Sequence, residues 1–166
     1  DIERIAVNDV MVPRNQIEAL DLNAEPGVLR EQLATCHHTL LPVYEGALDN
    51  IVGILHVRRT LALVQREDFN RDELRELLYE PYFIPSDTPL LKQLQQFQER
   101  HSRLGLVVDE YGELLGLVTL ENILEEIVGE FTTQSPSQTG KFLRQEDGRF
   151  LLEGSSSLRE LNRKLG

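Results

Sequence analysis

At 166 residues and 40% hydrophobic content, the chain is long enough to bury one or two modest cores. Its 17 basic against 28 acidic residues leave a formal charge of −11, which argues against a partner bound through a nucleic-acid backbone. The single cysteine, Cys36, rules out an intrachain disulfide and fits a reducing compartment, and no uninterrupted apolar stretch is long enough to cross a bilayer.

Residues 17–20 alternate like a short strand. Pro26 then stands where proline is best tolerated, in the first turn of a helix carrying Val28, Leu29, Leu33 and Cys36. Leu41-Pro42-Val43-Tyr44 reads as a strand, and the β-branched and aliphatic run 51–55 as a buried one. A helix over about 57–64 follows, then a polar connection at 65–71 and a helix near 72–78. Tyr82-Phe83-Ile84 begins a new strand, with Thr88 as N-cap and Pro89 as first residue of a helix striped by Leu90, Leu94 and Phe97. Strands at 106–108 and 114–118 are joined by a polar turn containing Gly112, and Thr119 caps a helix reaching about 127.

The chain therefore says nearly the same thing twice: strand–helix–strand–strand–helix. Pro26 and Pro89, like Gly53 and Gly116, are offset by 63, while Leu41-Pro42-Val43-Tyr44 matches Leu106-Val107-Val108-Asp109 at an offset of 65. Two copies predict a closed pseudo-two-fold pair of the α/β (α+β) class. The first copy spans 1–66 and the second 72–131. A small-residue linker at 132–140 leads to a different segment, 141–166. There, strands at 142–144 and 149–153 flank the hairpin signal Glu146-Asp147-Gly148, and a short helix covers 157–165. With no initiator Met, no signal peptide and an abrupt stop at Leu165-Gly166, the chain reads as a piece of a longer protein.

The Gly-aliphatic-aliphatic-Thr close of the second copy resembles the paired cystathionine β-synthase (CBS) domains, or Bateman module. Val10-Met-Val-Pro-Arg14, Asp49-Asn-Ile-Val-Gly-Ile54, Val107-Val-Asp-Glu-Tyr-Gly112, Gly116-Leu-Val-Thr-Leu-Glu121 and Glu125-Glu-Ile-Val-Gly-Glu-Phe131 are similar to the CorB/CorC (HlyC/CorC) magnesium and cobalt transport-associated family. In that family a membrane domain precedes the pair and a transporter-associated domain follows it. Asp147-Gly-Arg-Phe-Leu-Leu-Glu-Gly154 resembles the start of the latter. The resemblance implies a module on the cytoplasmic side of the inner (plasma) membrane, soluble as this fragment, and a homodimer formed through the CBS helices.

It also implies adenine nucleotide, AMP or magnesium-dependent ATP, in the cleft between the copies. Thr119 lies at a strand-to-helix junction, where open amides and the positive helix end favour phosphate. Position 122, one turn on, holds the ribose in relatives through aspartate. Here it is Asn122, which loses the charge-assisted bond. The first copy carries Arg59 there and His56 at the threonine position. Leu40 replaces the phosphate-binding arginine of magnesium–ATP binders, which leaves Arg103 and Arg14 as substitutes. Phe83, Ile84 and Pro85 with Leu104, Gly105 and Leu106 would wall an adenine, against the plainer reading of core strand.

Glu121, Glu125, Glu126 and Glu130 crowd one helix, and Glu121 and Glu125 are candidate ligands for direct divalent-cation sensing. A solvated acidic face is the preferred reading. His37 and His38 are adjacent and His56 and His101 lie far apart in sequence; no His-x-Glu, Cys-x-x-Cys or phosphate-loop pattern occurs, and nothing reads as an enzyme. Two functions remain in view: a nucleotide-sensing regulatory module of a divalent-cation transport protein, or a dimerisation scaffold whose nucleotide site has decayed. The flavin-like likeness of the family's last domain does not extend to this fragment, so no flavin is expected.

Overall fold

The punctuation by proline and glycine divides the chain as the repeat implies. The structure, a computed structural model, describes residues 2–134. A leading segment carries helix α1 (Val7–Val10) and strand β1 (Val12–Pro13). The first copy is β2 (Leu20–Asp21), α2 (Pro26–Thr35), β3 (Leu40–Glu45), β4 (Ala47–His56) and a 3-10 turn, Val57–Thr60, running into α3 (Leu61–Val64). After a connection bearing α4 (Arg71–Arg75), the second is β5 (Phe83–Pro85), α5 (Leu90–Arg100), β6 (Leu104–Val108), β7 (Leu114–Thr119) and α6 (Leu120–Gln134). The sheets run β2-β3-β4 and β1-β7-β6-β5. Two α+β units of the expected order result; the hairpin and helix expected over 141–166 lie outside the described residues. Among the described residues no helix is long and apolar enough to cross a membrane.

Local chemistry explains most element ends. Pro26 is the first residue of α2, but Pro89 stands one residue outside α5 as its N-cap. Pro89 bridges Ala6, the Leu90 amide donates to the Ile5 carbonyl at 2.9 Å, and Val7 donates to Thr88 at 2.9 Å. This pairing holds Pro89 extended, so Thr88 is not the cap. α5 buries Leu90, Leu94 and Phe97 as one stripe and ends on His101 at φ +56, a left-handed position histidine tolerates better than most residues. α6 continues past 127 and through the start of the expected linker, because Ile123, Ile127 and Phe131 extend its apolar stripe onto the core. The strand expected at 17–20 shrinks to Leu20–Asp21, parallel to Val43–Tyr44. That short pairing leaves room for Pro42 in a middle strand.

Strand register corrects the repeat by one residue. Leu40 pairs with His56 as Leu104 pairs with Thr119, and Val43 with Gly53 as Val107 with Gly116. The first strands of the hairpins are therefore offset by 64, not 65, and the second by 63. His37 is thus the counterpart of His101, Thr39 of Arg103, His56 of Thr119 and Arg58 of Glu121.

Each copy's leading segment crosses to the other copy's sheet. β1 pairs antiparallel with β7, Val12 opposite Leu117, and Tyr79 bridges Ile54, the first-copy counterpart of Leu117. Val7 is fully buried in the second copy's core and Leu74 in the first's. Residues 2–13, grouped by sequence with the first copy, therefore pack with the second. A third apolar cluster joins the sheets and is itself paired: Leu40 with Leu104, Ile51 with Leu114, Ile54 with Leu117. Burying such side chains contributes roughly 1.5–3 kcal/mol each, so this shared cluster stabilises the contact between the two copies.

At the end of β7 away from Thr119, Arg14 holds Asp49 through two bonds of 2.6 and 3.0 Å and donates to the Leu114 carbonyl at 3.0 Å. Asp49 also accepts from the Leu114 amide at 3.2 Å. The Arg14 guanidinium first, and that amide next, hold the Asp49 carboxyl below the usual carboxylate range. A group with a depressed folded pKa contributes stability above its unfolded value, about 3.9, and loses it as pH falls through the folded value. Asp49→Asn is therefore expected to melt below wild type at pH 7, with the gap closing towards pH 3 in paired thermal scans. An equal gap at both pH values would assign the loss to something other than this ion pair.

Candidate functional site

Where β3–β4 and β6–β7 meet across the pseudo-dyad, the structure leaves a cleft of about 870 Å³, towards the upper end of the range for small-molecule sites. Its two halves are repeat counterparts. His37, Thr39, Leu40, His56 and Arg58 from the first copy face His101, Arg103, Leu104, Thr119 and Glu121 from the second. Tyr79, Glu80, Tyr82 and Arg100 complete the wall, and all four histidines of the chain lie on it.

Thr119 sits on this wall as expected, but the helix start it caps is closed on itself. The Thr119 hydroxyl oxygen accepts from the Asn122 amide at 3.1 Å, while Asn122 Oδ1 accepts from the Thr119 amide at 3.2 Å. This reciprocal capping box, with the Leu120 amide bonded to the Arg103 carbonyl at 2.9 Å, consumes amides expected to face a phosphate. The Thr119 hydroxyl proton remains available to a ligand, but Asn122 turns to the backbone and is not on the cleft wall.

The expected adenine walls are mostly elsewhere. Leu104 lines the cleft; Ile84 and Leu106 are buried in the core, and Phe83 and Pro85 face outward. Gly105 packs under Ile84, which occupies the space a Cβ would need. The aromatic walls are instead Tyr79 and Tyr82. Tyr82 stands edge-on to Phe97 at 5.9 Å, and its hydroxyl accepts from buried Gln93 at 3.0 Å and donates to Gln96 at 3.2 Å. The strand's alternation could have signalled this: if Ile84 is core, Tyr82 shares its parity and Phe83 does not.

Of the substitute cations, Arg103 is on the wall but paired with Glu121. Arg14 is held by Asp49 outside the cleft, and Arg59 donates to the Leu77 carbonyl at 3.1 Å and stacks 5.1 Å from the Tyr79 ring centre. Arg100 lies 4.0 Å over the Tyr82 ring. Glu125 lines a separate shallow hollow with Glu121, Leu124 and Val128, and no group of three or more metal-ligating side chains assembles among the described residues. Cys36 bonds locally, its sulfur accepting from the His38 amide at 3.3 Å, and burial pushes its thiol up, away from nucleophilic use.

Comparison with known proteins agrees with this architecture. A CBS-domain model matches residues 74–129. A CBS-domain pair with bound AMP from Klebsiella pneumoniae is 42% identical, with a TM-score of 0.71 over 75% of this chain and 99% of that one. The CBS domain of the bacterial CNNM/CorC family Mg2+ transporter in complex with ATP is 31% identical, with a TM-score of 0.69 over 77% of this chain and 90% of that one. A UPF0053 protein of Haemophilus influenzae is 43% identical over 98% of this chain, and the UPF0053 inner membrane protein YfjD of Escherichia coli 39% identical over 98%. The chain spans 40% and 39% of those two proteins. At that identity and coverage the chain belongs to the CBS-domain pairs of the CNNM/CorC family, whose relatives include the UPF0053 and hemolysin C proteins.

Proposed function

We propose that this CBS pair is the non-catalytic regulatory module of a membrane divalent-cation transport protein and senses adenine nucleotide in the inter-copy cleft. The observation that carries the reading is the Thr119 hydroxyl on the wall of an 870 Å³ cleft with two tyrosines, in a fold whose relatives hold AMP and ATP. Leu104 and the ring of Tyr82 would face the base and Thr119 the sugar or first phosphate. Ligand in the cleft would bias the arrangement of the two copies through its different affinity for each, and the membrane domain of the parent chain would read that bias. A homodimer on the cytoplasmic face of the membrane is the assembly this reading requires, and magnesium enters as the counter-ion of ATP.

The scaffold reading rests on one specific observation: Asn122, at the ribose position, is turned into its own helix cap. Calorimetry of the 166-residue chain with AMP, ADP and ATP, each with and without magnesium, separates the two. The sensor predicts saturable binding of one nucleotide per chain. Heat no different from dilution at millimolar nucleotide would leave the scaffold.

A further inference from the structure

We propose that Gln93 is a positioning residue for the cleft: its side-chain amide fixes the ring of Tyr82 as a preset wall for the base of a nucleotide. In naming a nucleotide the role rests on the reading above. Thr60 and Gln93 are the buried polar residues among the described ones. The Thr60 hydroxyl donates to the Val57 carbonyl of its own turn at 2.7 Å. Gln93 instead stands in the apolar stripe of α5, between Leu90 and Phe97, and its Nε2 donates to the Tyr82 hydroxyl oxygen at 3.0 Å. That hydroxyl gives its proton to Gln96 Oε1 at 3.2 Å. With its proton and a lone pair both engaged by α5, the hydroxyl is committed, and what Tyr82 presents to the cleft is its ring.

The hold comes from one helix face. Gln93, Gln96, Phe97 and Arg100 follow at i, i+3, i+4 and i+7 of α5. The two glutamines take the hydroxyl, Phe97 meets the ring edge-on at 5.9 Å, and Arg100 lies 4.0 Å over its face. The Tyr82 carbonyl also accepts from the Leu106 amide at 2.8 Å, which fixes the backbone beneath the ring. The first copy supplies an internal comparison. The helix starts Pro26 and Leu90, and the pairings Leu20–Val43 and Ile84–Val107, share an offset of 64. Gln93 therefore matches Leu29, which is fully buried, and Tyr82 matches Glu18, which bonds His38 at 3.3 Å. Leucine fills the helix position in the copy without the tyrosine, and an amide fills it in the copy with the tyrosine. The amide carries a cost, because Gln93 Oε1 is buried with no partner among the described residues. Leucine would avoid that cost, so the distinct contribution of the amide is to order the ring before a ligand arrives. Binding is then spared the entropy of ordering it.

The test is a double-substitution cycle of Gln93→Met and Tyr82→Phe, read by thermal scans and by calorimetry with AMP and with ATP. Tyr82→Phe alone strands the buried amide of Gln93 and should lower the melting temperature by roughly 2–8 °C. Gln93→Met removes the unpartnered oxygen and should melt no lower than wild type, and the double variant should melt with Gln93→Met. In binding, each single substitution should weaken AMP and ATP alike, by about fivefold, because the base is common to both. The double variant should lose no more than either single one. Losses that multiply in the double variant overturn the link between the two residues and leave the nucleotide reading intact. Gln93→Met that binds AMP and ATP as tightly as wild type overturns the positioning role alone, whatever its melting temperature. Wild type that binds neither nucleotide at millimolar concentration overturns the nucleotide reading and the positioning role with it.

Discussion

Gly116→Ala is expected to lower stability by about 1–3 kcal/mol, which corresponds to roughly 2–12 °C in melting temperature for a chain of this size. A Cβ on Gly116 would overlap the carbonyl oxygen of Val12 and come within 2.8 Å of the Met11 sulfur. The methionine can swing aside, but the carbonyl belongs to β1, which is paired to β7 at that point. The added methyl must therefore push the crossing segment off the sheet. Gly53→Ala should act the same way by symmetry, since its Cβ would lie 2.7 Å from the Leu78 Cβ and 2.9 Å from the Tyr79 carbonyl oxygen. Gly27→Ala is the control: it sits in the first turn of α2 with nothing within 4 Å, and should be neutral or stabilising by up to about 1 kcal/mol. Thermal scans that rank all three together would show that close backbone approach is not what these glycines provide.

Those two glycines show what the sequence discloses and where it stops. Gly53 and Gly116 are visible as repeat anchors because each opens an aliphatic strand end at the same spacing. Their role is invisible locally, because the atoms that demand a missing side chain come from Val12 and Tyr79, on segments that reach the site only by crossing to the other copy. The same crossing displaced the start of α5: Pro89 looks like a first helical residue until Ala6 is placed beside it. The one-residue error in the repeat has a different origin. Leu41-Pro42-Val43-Tyr44 slid by one along Leu106-Val107-Val108-Asp109 still sets mostly apolar on apolar, and only the backbone ladder distinguishes the two registers.

Of the residues lining the cleft, Thr119, Leu104, Arg103 and His56 were named through the resemblance and the repeat, and the tyrosines were not. The resemblance made Phe83 the aromatic candidate, whereas strand parity puts Tyr82 on the wall and leaves Phe83 48% exposed. Arg58 was passed over because the resemblance directs attention to position 59, whose side chain is engaged by Leu77 and Tyr79. The two copies share one backbone plan yet carry opposite charge at one matched position and different donors at another. The two ends of the one cleft therefore present different side chains at matched positions.

The second large effect belongs to Thr119. Thr119→Leu is expected to abolish nucleotide binding, with at least a tenfold loss of affinity, and to destabilise the chain by about 0.5–2 kcal/mol through loss of the helix cap. The two losses have separate causes: the hydroxyl oxygen accepts from the Asn122 amide, while the hydroxyl proton is what a ligand in the cleft can receive. Thr119→Ser retains both functions and should match wild type in affinity and nearly so in melting temperature. Asn122→Ala removes the other half of the capping box without touching the cleft wall, so it should reproduce part of the stability loss with affinity reduced much less. A Thr119→Leu protein that still binds nucleotide as wild type does would remove Thr119 from the site. A Thr119→Leu loss fully matched by Asn122→Ala would mean that helix order, and not the hydroxyl, governs binding, because only the cap is common to the two substitutions.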